Sequence, residues 1–183
     1  MTTMADSSPR ESAELEALSS LAERAQRAGR LAEAADAYRK MLAVRPEVPE
    51  VHNSLGIVLA QQNQLDEARA EFERAVTLAP NYPDAHNNLG MILWRQNRLD
   101  EAVRHLERAV ELRPGQVEAL SNLGTLLARQ GRFANAAARY RQAIAERPLD
   151  AAMHNNLGMA LWEQGKLEEA AAAYQQALAI RPD

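Results

Sequence analysis

Apolar positions recur along this chain in two alternating helical stripes. Within residues 51–62, Val51, Leu55, Val58 and Leu59 fall at i, i+4, i+7 and i+8, which places them on one face of an α-helix. A second stripe, Leu65, Ala68, Phe72, Ala75 and Val76, follows directly. Asp66 and Glu67 sit in the first turn of that second segment, where the helix dipole favours carboxylates. The whole pattern repeats with a 34-residue period over 15–48, 49–82, 83–116, 117–150 and 151–183, with no insertion or deletion. A fixed period of this size predicts stacked two-helix units that cannot bury their apolar faces alone.

Aligning the five repeats exposes columns that fix the local geometry. Position 15 is Gly29, Asn63, Asn97, Gly131 and Gly165, residue types that tolerate a left-handed turn at a helix C-terminus. Position 20 is always alanine and position 32 always proline, from Ala34 and Pro46 to Ala170 and Pro182. Proline lacks an N–H and clashes with the preceding turn, so it closes each helix pair. Position 8 is Gly56, Gly90, Gly124 and Gly158 in four of the repeats. A glycine in a helix interior costs roughly 1 kcal/mol relative to alanine. We expect that cost to be offset by close approach of the second helix, with the position-20 alanine facing the glycine and Tyr38, Phe72, Leu106, Tyr140 or Tyr174 at position 24 filling the space beside it.

At the start, Ser8, Pro9 and Glu11 form the pattern of a capping box, predicting a first helix near Pro9. Residues 1–8 are expected as a disordered tail and 9–183 as one solenoid domain. After the fifth repeat no polar closing helix follows. Solenoid ends need a solvated outer face. An uncapped end is expected of a fragment of a longer chain, of a tolerated alanine-rich surface, or of self-association into a homo-oligomer.

Composition narrows the function. Hydrophobic residues make up 46% of the chain but aromatics only 4%, so burial must come from close packing of small side chains. The net charge of −4 removes the basic footprint expected of a nucleic-acid or anionic-membrane binder. There is no cysteine, which excludes disulfides and thiolate metal sites. Neither a signal-peptide core nor an apolar stretch of about 18 residues is present, and the chain reads as soluble and cytoplasmic.

These columns resemble the tetratricopeptide repeat, whose 34-residue helix pairs carry small residues at positions 8, 20 and 27, an aromatic at 24 and proline at 32. The resemblance covers residues 15–183, with Met41 at position 27 and Glu146 at position 30 departing from the pattern. It implies an all-α, right-handed solenoid of five helix-turn-helix units, the first helix of each lining a concave groove that binds extended peptides or partner proteins.

By that resemblance, positions 2, 5, 6, 9, 12 and 13 face the groove. Position 5 holds Asn53, Asn87 and Asn155, and position 6 holds Asn88, Asn122 and Asn156, with serines at the remaining places. Asparagine is a mediocre helix former. A carboxamide offers both a donor and an acceptor, so this ladder is expected to hydrogen-bond a peptide backbone without reading side chains. The position-6 column is similar to the asparagine column of O-linked N-acetylglucosamine transferases, which implies a substrate-recruiting arm as an alternative role. Met91 with Trp94, and Met159 with Trp162, add large apolar side chains at positions 9 and 12, candidate anchors for a ligand. Position 2 is mostly acidic, from Glu50 to Asp84 and Glu118, which opposes binding of acidic chaperone tails.

His52, His86 and His154 recur at position 4. Helices pack about 8–10 Å apart, too far for imidazoles of successive repeats to share a zinc ion, so we expect partly buried packing sites and no metal. No nucleophile motif or phosphate loop is present. The sequence therefore predicts a non-catalytic protein-binding module without cofactors, with a self-associating scaffold as a further alternative.

Overall fold

The structure, a computed structural model, describes residues 9–182. Among them are ten α-helices and no strand: α1 (Pro9–Arg27), α2 (Leu31–Val44), α3 (Pro49–Gln61), α4 (Leu65–Leu78), α5 (Pro83–Arg95), α6 (Leu99–Leu112), α7 (Val117–Arg129), α8 (Phe133–Glu146), α9 (Ala151–Trp162) and α10 (Leu167–Ile180). The helix start expected near Pro9 is observed. The expectations for Ser8 and the tail fall outside the described residues.

Each odd-numbered helix and its successor form one hairpin, so the five hairpins coincide with the five sequence repeats. Backbone contacts group the chain into two blocks, residues up to Asn81 with α1–α4 and residues from Tyr82 with α5–α10. Within the first block, α3 packs against α2; within the second, α7 packs on α6 and α9 on α8.

The hairpin turn depends on position 15. Asn63 and Asn97 have φ of 63° and 62°, and Gly29, Gly131 and Gly165 have φ of 72°, 73° and 74°. All five lie in the left-handed region, where a Cβ normally crowds the following carbonyl. At the other end, the residue preceding each proline leaves the helix. Arg45 is extended at φ −132° and ψ 96°, as the ring of the following proline requires. Arg113 and Arg147 adopt nearly the same angles.

Inside each hairpin the position-20 alanines Ala34, Ala68, Ala102, Ala136 and Ala170 are fully buried. The glycines explain how the paired helices pack with so few large residues. A Cβ on Gly56 would stand 2.7 Å from Phe72, on Gly90 2.7 Å from Leu106, on Gly124 2.7 Å from Tyr140 and on Gly158 2.7 Å from Tyr174. The side chain at position 24 thus occupies the space the glycine leaves empty. The alanine at position 20 supplies a close surface as well, most directly at Gly90, where the carbonyl of Ala102 would lie 3.2 Å from the added atom. Dense interlocking of this kind gives the core its contacts despite its alanine-rich composition.

Candidate functional site

Positions 5 and 6 are neighbours on the same helix, yet they meet different surroundings. In the second block, Asn87 on α5 is 2% exposed. Its Nδ2 donates to Glu118 Oε1 at 3.2 Å, and its Oδ1 accepts from Asn122 Nδ2 at 3.0 Å. Both partners lie on α7, so the side chain at position 5 is turned onto the first helix of the next repeat. Asn53 is likewise buried, at 5% exposure. Position 5 is therefore a packing position in the second and third repeats, which corrects the expectation that Asn53 and Asn87 face a ligand. A buried amide must find hydrogen-bond partners within the fold, and Asn87 has done so.

Position 6 keeps contact with solvent. Asn88, Asn122 and Asn156, on α5, α7 and α9, are each half-buried. Asn122 uses its donor on Asn87 and retains its carbonyl oxygen as an acceptor. One repeat later, Ser121 stands where Asn87 stood, with a shorter side chain. No hydrogen bond joins it to Asn156, whose amide has no partner among the described residues. Asn155, at position 5 of the fifth repeat, is exposed, with Nδ2 3.8 Å from Met159 Sδ.

The acidic column at position 2 is partly consumed in the same way. Asp84 Oδ1 accepts from Arg113 Nη1 and from Gln116 Nε2, each at 2.8 Å. Asp84 thus ties the start of the third repeat to its end, Glu118 fastens the fourth repeat to Asn87 of the third, and little is left of a free acidic rim there.

The apolar candidates differ in exposure. Met91 and Trp94 are half-buried, and the Arg129 guanidinium lies 5.4 Å from the Trp94 ring centroid, within cation–π range. These three residues share an open hollow of about 660 Å³ with Asn97 and Leu99. Met159 and Trp162 are 54% and 59% exposed. A second cavity, of about 370 Å³, is lined by Thr125, Ala128, Phe133, Tyr140, Asn156 and Met159 among others. Of its residues, Asn156 and Met159 were singled out from sequence as groove positions, and Thr125, Ala128 and Phe133 were not. The signal was present in the columns, because positions 9 and 12 are Met and Trp in the third and fifth repeats but Thr125 and Ala128 in the fourth.

The histidine column serves packing, as expected for His52 and His86, both 8% exposed. His52 Nε2 meets the Pro46 carbonyl at 2.8 Å, and its Nδ1 meets Glu71 Oε2 at 2.6 Å. His154 Nε2 repeats the first contact, on the Pro148 carbonyl at 2.9 Å. His52 and His154 therefore tie the starts of their hairpins to the prolines that closed the previous ones. In the third repeat the partner at position 23 is itself a histidine: His86 Nδ1 and His105 Nδ1 are 3.0 Å apart. Their ring centroids are 5.3 Å apart with the planes at 28°. The centroid separation exceeds the nitrogen separation by about one ring diameter, so the rings meet edge to edge. One ring donates Nδ1–H and the other accepts. Burial pushes the His105 imidazole down to about 4, with the neighbouring His86 and Arg104 adding to the effect. No group of three or more metal-ligating side chains comes together among the described residues.

Sequence profiles of the tetratricopeptide repeat match residues 15–40, 47–115, 83–145 and 121–183. The chain belongs to the tetratricopeptide repeat family. No curated protein matches it, but solved structures do. MamA from Desulfovibrio magneticus RS-1 superposes with a TM-score of 0.83 at 20% identity, covering 98% of each chain. PilF of Pseudomonas aeruginosa gives 0.82 at 20% identity, over 92% of this chain and 77% of the other. YrrB, described as a tetratricopeptide repeat protein with an unusual peptide-binding site, gives 0.76 at 25% identity, over 88% and 84%. The all-α solenoid fold and the character of a protein-interaction module follow for this tetratricopeptide repeat chain. No helix among its described residues is long and apolar enough to cross a membrane.

Proposed function

We propose that the chain holds an extended segment of a partner protein along α5, α7 and α9. The observation that carries this reading is the position-6 column. Asn88, Asn122 and Asn156 recur at position 6 of the last three repeats and reach solvent, and the amide of Asn156 has no partner among the described residues. A carboxamide contacts a peptide N–H and C=O equally well, so the column favours backbone recognition over any single side-chain pattern. Met159 and Trp162 supply exposed apolar surface beside it, of the kind that dominates binding energy. Asn53 and Asn87 are left out of the contact set because they are buried.

An array of immobilised random nonapeptides tests the reading. The parent chain should retain a defined subset of spots, and the variant with Asn88, Asn122 and Asn156 all replaced by alanine should lose them while keeping its helicity. Equal retention by both proteins would remove the column from the binding surface. The same three asparagines are all that favours the alternative of a recruiting arm for a glycosyltransferase.

A second reading, self-association, draws on the open face of the fifth repeat. Leu167 and Leu178 are 55% and 59% exposed there, while the same columns hold the half-buried Leu99 and buried Val110 in the third. Position 10 is Arg24 in α1 but Val58, Ile92 and Leu126 in later repeats, so the first helix presents charge where an apolar partner would have to dock. Pairing of two fifth repeats is favoured over head-to-tail stacking. Sedimentation equilibrium of the parent and of Leu178→Glu separates a dimer that the substitution dissolves from a monomer that it leaves unchanged.

A further inference from the structure

The cavity of the fourth repeat adds a specific element to a groove that otherwise contacts only backbone. Thr125 and Ala128, on α7, stand where the neighbouring repeats carry Met91 with Trp94 and Met159 with Trp162. These two small residues line the hollow of about 370 Å³, within the range of small-ligand pockets, about 300–1,000 Å³. Phe133, Met159 and the buried Tyr140, 2% exposed, are among the residues that line it. The Tyr140 hydroxyl already donates to Thr125 Oγ1 at 3.2 Å, so it requires nothing polar from an occupant. Asn156 also lines the hollow, and its amide has no partner among the described residues.

We propose that this cavity is a socket for one aromatic side chain of the bound segment, with the Asn156 amide holding the backbone of that same residue. Aromatic occupants suit these walls because ring–ring contacts and sulfur–ring contacts each add to simple area burial. A short aliphatic residue would leave much of the hollow unfilled, and a charged one would lose its hydration against apolar walls. Arg129 and Glu163 lie at the edge of the cavity, with opposite charges, and select neither sign at the flanking positions. The socket deepens the peptide-binding reading, on which it rests.

The test uses N-acetylphenylalaninamide as the probe and N-acetylalaninamide as its control, titrated into isotopically labelled protein and followed by NMR. The aromatic probe should move the Met159 methyl, Thr125 and Asn156 side-chain amide signals saturably, and the alanine analogue should bind at least about tenfold more weakly. The filled variant Ala128→Trp places the large residue of the third and fifth repeats at position 12 and keeps the Tyr140–Thr125 hydrogen bond, so it should keep its helicity and lose the probe. Equal shifts from both probes, shifts outside the cavity, or an unchanged response of the filled variant would overturn the socket. If the nonapeptide array depends on the asparagine column while the probe ignores the cavity, the groove stands and the socket falls. If the probe fills the cavity and the array shows no captured peptide, the socket stands as a pocket and the groove falls.

Discussion

The ring of Tyr140 occupies the place a side chain on Gly124 would take: its Cε1 lies 2.7 Å from where that Cβ would stand. Replacing Gly124 by alanine gains about 1 kcal/mol of helix propensity, but it must displace a ring that is 2% exposed and hydrogen-bonded to Thr125. Overpacking of this kind costs about 1–3 kcal/mol, so Gly124→Ala is expected to be destabilising in urea titration. Tyr174, the counterpart at Gly158, is half-exposed and can swing aside, so Gly158→Ala should be near neutral. Gly90→Leu, against the buried Leu106, should melt well below the parent.

A different cause operates at position 15. Nothing lies within 4 Å of a Cβ added to Gly131, so space is no obstacle there. Its φ of 73° is the obstacle, since a non-glycine residue loses about 1–2 kcal/mol in the left-handed region. Gly131→Ala should therefore lower stability by about 1 kcal/mol. Asn97→Gly, at φ 62°, should leave it nearly unchanged. Thermal melts of the two variants check the pair.

Much of this was legible in the sequence, because each column reports one physical demand five times over. Helix pairing, the left-handed turn, the proline stop and the glycine contact all depend on residue type at fixed spacing. The site was less legible. Asn87 and Asn88 look alike in sequence, yet one residue of rotation turns Asn87 onto α7 and leaves Asn88 half-buried. The His86–His105 pair was hidden because position 23 varies from Ala37 to Glu71, His105 and Arg139, so no repeating signal marked it.

That histidine pair makes stability depend on pH. The folded His105 sits at about 4 against an ordinary 6.5, so the unfolded chain binds more protons between those values. Its contribution is fully present above about 6.5 and is lost as pH falls towards about 4. The melting temperature should fall by a few degrees from pH 7 to pH 5. His105→Phe, which cannot take up the proton, should flatten that interval. Calorimetry of the two proteins across the range provides the comparison.

Asn87 offers a separate test of the contact between repeats. Replacing it by alanine removes its hydrogen bonds to Glu118 and Asn122, both of which still reach solvent, a loss of about 0.5–1.5 kcal/mol for each bond. Asn155→Ala, at the same position on an exposed surface, should change stability by less than about 0.5 kcal/mol. Urea midpoints for both variants distinguish a packing amide from a surface one.

The most direct measurement of the binding reading is the NMR response of the asparagine side-chain amides to a nonapeptide retained on the array. The account predicts saturable movement of the Asn88, Asn122 and Asn156 signals at a common midpoint. A peptide that saturates the protein while leaving all three unmoved, with shifts confined to α6, α8 and α10, would contradict it.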